Sequence, residues 1–334
     1  MRGASRMVRE LAEVEPDESV LVVTDTFSLR FGEAIAAAAN EVAKEVSLVV
    51  ITTYGNRHRH GQDPAKCICE AIKSADVVFM PTEWSLFHSS ARREANKAGI
   101  RCISTAQPDD EMYCRTIAEA PFKEAIEVLQ RVNDYLIPAN DCHVTTPGGT
   151  DLYVSLKGRT YVEKNNIYAT KKNGCLYASP PCVEANIAPI EGSAQGKVVI
   201  DACQASIGLI YDPIEVIIKD GVMKEIRGGV QAKNFKSFLE NSGEPLLSHV
   251  CELGIGLNPA CHVRGRFVED EACYGTAHIG SGDNFTSWGG NIKAKAHTDS
   301  IFWRPTIVLD GKTIMKDGKL QIPGVPESFR GFYE

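Results

Sequence analysis

The residues with the clearest chemical content stand in Ala296-His297-Thr298-Asp299. Residues two apart on a β-strand point to the same face, so His297 and Asp299 would offer an imidazole and a carboxylate to one cation. Two other segments carry the same theme. Gly275 to Asn284 (GTAHIGSGDN) surrounds His278 with small residues, and glycine lets the backbone approach a ligand closely. Cys251 to Pro259 (CELGIGLNP) places Glu252 in an apolar, glycine-punctuated run. A carboxylate there needs a partner, because an isolated buried charge is costly. That partner is a cation site or an arginine such as Arg264 or Arg266. A third acid, Glu184 in Val183 to Pro189 (VEANIAP), is either part of the same cluster or an edge-strand carboxylate facing water.

The elements that must position these groups change in character along the chain. Up to about residue 140, strand-like and helix-like segments alternate: Ser19–Thr24, Val46–Thr52, Asp76–Met80 and Arg101–Thr105 read as strands. Gly32–Lys44, Pro64–Ser74, Ala91–Ala98 and Pro121–Leu136 read as helices between or after them. Such alternation predicts a mostly parallel sheet covered on both faces. After Pro138-Ala139-Asn140-Asp141, β-branched residues and Asp-Gly turns dominate. Val216–Ile218 with Val222–Ile226, and Ile307–Leu309 with Lys312–Met315, read as hairpins, and Phe235–Asn241 as a short helix. The expected fold class is therefore α/β. An N-terminal α/β domain, residues 1–140, precedes a C-terminal α+β domain, residues 141–334, with a largely antiparallel sheet carrying the metal site.

Composition narrows the function. With 36 Lys+Arg against 43 Asp+Glu, a net charge of −7, the chain does not read as a nucleic-acid binder. No apolar run approaches the ~20 residues of a membrane span, and the N-terminus lacks a signal-peptide core, so a cytoplasmic protein is expected. The 11 cysteines do not space as a disulfide framework, and Cys67-Ile68-Cys69 reads as part of a helix, its thiols buried, not as half of a zinc knuckle. His58-Arg59-His60 reads as a solvated basic turn, and His143, His249 and His262 as structural.

Taken in order, Pro180–Gly196, Glu252–Pro259, Asp270–Asn284 and His297–Gly311 resemble the thermophilic metallo-aminopeptidases of the aminopeptidase T family, whose superfamily includes the 2,5-dihydroxypyridine dioxygenases. Ser85–Ala95 and Thr145–Leu152 extend the resemblance into the first half and the domain junction. The resemblance implies a metal-dependent hydrolase of the leucyl aminopeptidase type, acting on a small peptide or amide with one or two divalent ions (Zn, Co or Mn). It implies a homodimer, with the first domain covering the active site. Carried over by motif, the metal ligands fall on Glu184, Glu252, His278, His297 and Asp299, with Glu184 or Glu252 also moving the proton to the leaving amine. His88, ahead of Arg92 and Arg93, falls on the side of the first domain that faces substrate. Carboxylates and imidazoles suit these ions, and paired ions lower the pKa of a bridging water toward neutrality.

The chain departs from the family at one ligand. Phe285 stands where the resemblance places a tyrosine, so one tightly held ion and a weak or absent second are expected unless Asp283 or Tyr274 substitutes. The alternative is a mononuclear Fe(II) dioxygenase, in which His297 and Asp299 would ligate iron. Glu252 then stands where those enzymes have histidine, unless His278 serves. A third reading, prompted by Phe285, is a scaffold that keeps the fold without metal chemistry.

Overall fold

The computed structural model describes residues 1–52, 60–160, 162, 165–285 and 289–329. It is a mixed α/β structure with one parallel and two antiparallel sheets. The chain divides into two compact units, Met1–Ala120 with Asn165–Cys182, and Pro121–Lys164 with Val183–Glu334.

In the first unit, β1 (Ser19–Asp25), β2 (Glu45–Ile51), β3 (Val77–Thr82) and β4 (Arg101–Ala106) form a parallel sheet in the order β2-β1-β3-β4. β3 and β4 are buried along their whole length, as central strands of a covered parallel sheet should be. Helices Leu29–Asn40, Lys66–Ile72 and Ser90–Lys97 connect successive strands. Ile68, Ile72, Ala91 and Ala95, from the latter two, pack on Leu21, Val23, Val78 and Met80. Cys67 is exposed and Cys69 only half-buried on their helix, so the burial expected for this pair fails at Cys67.

The segment 165–182 returns to the first unit, and its β7 (Tyr177–Ala178) adds in parallel beside β4. A buried ion pair ties it there. Arg101 donates to the carboxylate of Glu18 and to the carbonyls of Ala12 and Ala169, and Lys171 Nζ lies 2.8 Å from the other Glu18 oxygen. Hydrogen bonding of this kind lies beyond hydropathy patterning, which is why the returning segment has no signature in the sequence.

The second unit opens with helix Phe122–Leu136, which the alternating pattern had grouped with the first half. The unit holds two antiparallel sheets. The larger comprises β5 (Asp141–Thr145), β6 (Asp151–Ser155), β9 (Gln195–Ile200), β12 (Ile214–Lys219), β13 (Val222–Arg227), β17 (Thr306–Leu309), β18 (Lys312–Lys316) and β19 (Lys319–Leu320), in the order β13-β12-β9-β6-β5-β17-β18-β19. Both expected hairpins are there. Asp220 and Gly221 (φ 52° and 73°), like Asp310 and Gly311 (φ 45° and 80°), take the left-handed conformation that a two-residue turn requires.

The smaller sheet comprises β8 (Glu184–Ile187), β10 (Cys203–Gln204), β11 (Gly208–Leu209), β14 (Val250–Gly256), β15 (Thr276–Gly282) and β16 (His297–Trp303), in the order β11-β10-β16-β15-β14-β8. β8, β14 and β15 are buried along their whole length.

Glu18→Gln should lower the stability of the full chain by about 3 kcal/mol at pH 7, because it breaks a buried ion pair. Burial raises the Glu18 pKa, but Lys171, a backbone N–H of Glu15 and Arg101 together hold it below the usual range. A carboxylate with a lowered folded pKa stabilises above its unfolded value and loses that contribution as the pH falls through the folded one. In urea denaturation the gap between wild type and variant should therefore shrink below about pH 4.

Candidate metal centre

Pairing register explains how four separate motifs meet. Gly280 lies opposite Glu252 on one side and Asp299 on the other, while Gly282 pairs with His297. Gly254 lies opposite His278 on one side and Asn186 on the other, and Gly256 pairs with Glu184. Paired residues share a face and alternate residues return to it, so Glu184, Glu252, His278, His297 and Asp299 all project from one face of the sheet. Leu253, Ile255, Ala277 and Ile279 take the other face and are fully buried.

Two features of the strands let such long side chains crowd together. The first is a set of glycines. A Cβ on Gly254 would lie 2.0 Å from His278 Nε2, and one on Gly280 would lie 2.7 Å from His297 Cε1 and 2.8 Å from Glu252 Oε2. The imidazoles thus lie flat over neighbouring strands in space that any other residue would fill. The second is a β-bulge. Val250 pairs with Ser281 but Glu252 pairs with Gly280, so Cys251 is an extra residue in β14. A bulge breaks strict alternation and re-aims side chains. Consecutive residues accordingly touch the same ring: Cys251 Sγ lies 3.4 Å from His297 Nδ1, and Glu252 Oε2 lies 3.1 Å from His297 Nε2.

The donors form two groups that share Glu252. In each, the donor atoms lie within 4.8 Å of one another: Glu184, Glu252 and His278 in one, and Glu252, His297 and Asp299 in the other. His278 Nε2 is 3.5 Å from Glu184 Oε2 and 3.7 Å from Glu252 Oε1. His297 Nε2 is 2.9 Å from Asp299 Oδ1. Two donors each about 2.1 Å from one ion stand roughly 3.0–3.4 Å apart, so these spacings are close to those of a coordination shell. Glu252 is 1% exposed, yet its Oε1 accepts no hydrogen bond. A buried carboxylate oxygen without a protein donor, beside an imidazole in a glycine cradle, fits a divalent cation.

The electrostatics agree. Burial disfavours charge on Glu252, His278 and His297, but proximity outweighs it. Glu252 is held below the usual carboxylate range by His278 and His297 despite its desolvation. His278 is lifted to about 9, because Glu252 and Glu184 more than offset burial. His297 is lifted well above the ordinary histidine value, chiefly by Asp299 and Cys251 acting against burial. Protons on the two rings thus do in this state what cations do in a metal site.

The readings that paired Glu252 with arginine, or set Glu184 in water, fail. Arg264 bonds Glu269, with Nη2 to Oε2 at 2.8 Å, and Glu184 is buried although β8 is an edge strand. Phe285 is half-exposed under the ammonium of Lys293, 3.9 Å from the ring centroid. Tyr274 accepts a hydrogen bond from Leu320 N at 3.0 Å and packs on Phe329. The Asp283 carboxylate accepts from Ala294 N at 3.2 Å, whereas its main-chain carbonyl lies 3.0 Å from His297 Nδ1. That contact orients the ring so that Nε2 faces the carboxylates. His88 belongs to the first unit, where its ring meets Phe87 edge-on and Arg93 donates to its carbonyl. His60 Nδ1 accepts from Ser85 N at 3.0 Å, while His58 and Arg59 lie outside the described residues. His143 pairs with Asp151 and stacks on Tyr153. Cys251 and Asn186 carry no signal in the sequence, and the glycines, legible there as places of close approach, prove to make room for the ligand side chains themselves. The regular E-x-G-x-G and H-x-G-x-G spacing of β14 and β15 was the signal available for the glycines.

A two-unit α/β protein whose antiparallel sheet gathers two imidazoles and three carboxylates is thereby defined. The chain belongs to the 2,5-dihydroxypyridine 5,6-dioxygenase (NicX) family, whose sequence profile matches residues 2–322. It is similar in fold to the 2,5-dihydroxypyridine dioxygenase from Pseudomonas putida KT2440, with a TM-score of 0.79 and 23% identity over 97% of both chains. It is also similar to wild-type AmpT from Thermus thermophilus, with a TM-score of 0.69 and 17% identity over 96% of this chain and 98% of that one. No curated protein shows significant sequence similarity to it. No helix among the described residues is long and apolar enough to cross a membrane.

Two outcomes follow from the geometry. Gly254→Ala should displace the His278 ring and weaken divalent-ion binding by about 10–100-fold, as measured by titration of the chelated protein, with unchanged far-ultraviolet circular dichroism. Metal uptake at pH 7 should release protons, because ligating imidazoles must give theirs up. Calorimetry in two buffers of different ionisation enthalpy should show that release, with affinity rising as the pH is raised toward 9.

Proposed function

We propose that this protein is a metal-dependent hydrolase that cleaves an amide or peptide bond of a small substrate. The observation that carries this reading is the position of Glu252. Its two oxygens face different histidines, and it belongs to two donor groups, neither of which contains both imidazoles. A carboxylate so placed suits a pair of ions better than a single two-histidine, one-carboxylate iron site. In this reading Glu184, Glu252 and His278 hold one ion, and Glu252, His297 and Asp299 hold the other. Bound there, the ions supply Lewis acidity and a water acidic enough to attack near neutral pH.

The remaining work falls to the protein's own groups. Glu252 is shared by both donor groups whereas Glu184 belongs to one of them, so Glu184 is the carboxylate assigned to receive a proton from the attacking water and deliver it to the leaving nitrogen. The Asp283 carbonyl holds Nδ1 of His297 and so keeps Nε2 directed at the ligand cluster. The apolar opposite face of the sheet keeps the site in a low-dielectric setting, where each charge acts strongly.

A second reading draws on the family match: ring cleavage of a hydroxylated heteroaromatic, with His278, His297 and Asp299 holding Fe(II). The two readings separate in one set of assays. Protein stripped with chelator and reloaded with Mn, Co or Zn should hydrolyse aminoacyl p-nitroanilides, and Glu252→Ala should abolish tight metal binding and lower kcat by about 100-fold or more. Oxygen consumption with 2,5-dihydroxypyridine by the Fe(II)-loaded protein, without hydrolysis under any metal, would overturn the hydrolase reading.

A further inference from the structure

Asn186 is 2% exposed and lies on the same face of β8 as Glu184. Its Nδ2 donates to Glu184 Oε1 at 3.0 Å. A carboxylate accepts and does not donate, so this contact fixes the amide orientation and leaves Oδ1 as the other end. That oxygen is buried and has no hydrogen-bond partner. Asn186 also lies across Gly254 from His278, whose ring occupies the space a Gly254 Cβ would take. An unsatisfied amide oxygen therefore belongs to a side chain that bonds one member of a donor group, Glu184, and stands across Gly254 from another, His278.

We propose that Asn186 Oδ1 is a further metal donor, completing the group of Glu184, Glu252 and His278. Native proteins seldom bury an acceptor with nothing to meet it, and an amide oxygen is a hard, neutral ligand suited to Mn and similar ions. The assignment answers the shortage that Phe285 creates. The ring at that position is turned out beneath Lys293, and the Asp283 carboxylate is engaged with the backbone of Ala294. A neutral donor adds a ligand without adding a fourth negative charge to a site that already holds three carboxylates. The inference rests on the two-ion reading above.

The test uses the full chain, stripped by chelator, reloaded with MnCl2 and analysed for bound Mn by elemental analysis and electron paramagnetic resonance. Wild type should retain two equivalents. Asn186→Leu, which keeps the volume and removes the oxygen, should retain one with an unchanged thermal melt. Asn186→Asp keeps an oxygen and loses the N–H to Glu184, so it should retain two. If Asn186→Leu also holds two, the donor assignment is wrong and the two-ion reading stands. If the Asp and Leu variants both fall to one, the residue acts only by orienting Glu184, and the assignment is again wrong. If wild type holds one or none, the two-ion reading falls and takes the assignment with it. Should the Leu variant fail to fold, Asn186→Ala replaces it with the same expected loss of one equivalent.

Discussion

The smaller sheet of the second unit is arranged around one electrostatic problem: three carboxylates and two imidazoles share one largely buried face. Fully charged, Glu184, Glu252 and Asp299 carry one negative charge more than two imidazolium rings can balance. Burial makes any residual charge expensive. The shifts of Glu252, His278 and His297 away from their ordinary values are the response of the free protein. Such a cluster is held together because the strands leave its members nowhere else to go.

That confinement comes from what the strands lack. Side chains as long as glutamate and histidine cannot converge on one face of a sheet if each opposing position carries a Cβ. Gly254 and Gly280 remove it at the two positions where the rings and Glu252 must lie. The bulge at Cys251 does the rest by turning two consecutive residues toward His297. The interior strands tolerate these glycines, which ordinarily weaken a strand, because both faces are covered and neighbouring hydrogen bonds fix the backbone. Local strand stability has been given up so that ligands can be packed at metal spacing.

The sequence carried much of this, and its failures have physical causes. Glu252 and His278 joined the site through the order of the family motifs, whereas alternation along β16 pointed to one face for His297 and Asp299, because strand periodicity is a local property. The parallel sheet and both Asp-Gly hairpins were legible for the same reason. The return of residues 165–182 to the first unit was not, since that segment is held by contacts of the Ala169 carbonyl and Lys171 with the buried Arg101–Glu18 pair, itself made between residues 83 apart. The helix Phe122–Leu136 looked like the last member of the alternating half, because an amphipathic pattern records that a face is buried and not what buries it. Cys251 was invisible for a different reason: a bulge changes the two-residue period that the reading assumes. The identity of Asp283 carries no signal of its contact with His297, because that contact is made by its carbonyl, which every residue has.

The two histidines are also held in different ways, and this makes the donor groups unequal. His297 is gripped at Nδ1 by the Asp283 carbonyl, with the Cys251 thiol alongside, so its direction is set before any ligand arrives. His278 has no such grip. Its Nδ1 is buried without a hydrogen-bond partner, and the ring is confined by the shape of the space over Gly254 and by the carboxylates 3.5 and 3.7 Å from Nε2. Hydrogen bonds restrict rotation of a ring more sharply than a cavity wall does, so the His297 side is the more preorganised of the two. Its donors also lie closer together, 2.9 and 3.1 Å from Nε2 against 3.5 and 3.7 Å on the His278 side. The group with Asp299 therefore has the character of a fixed site. The group with Glu184 is looser, and its geometry is completed by what occupies it.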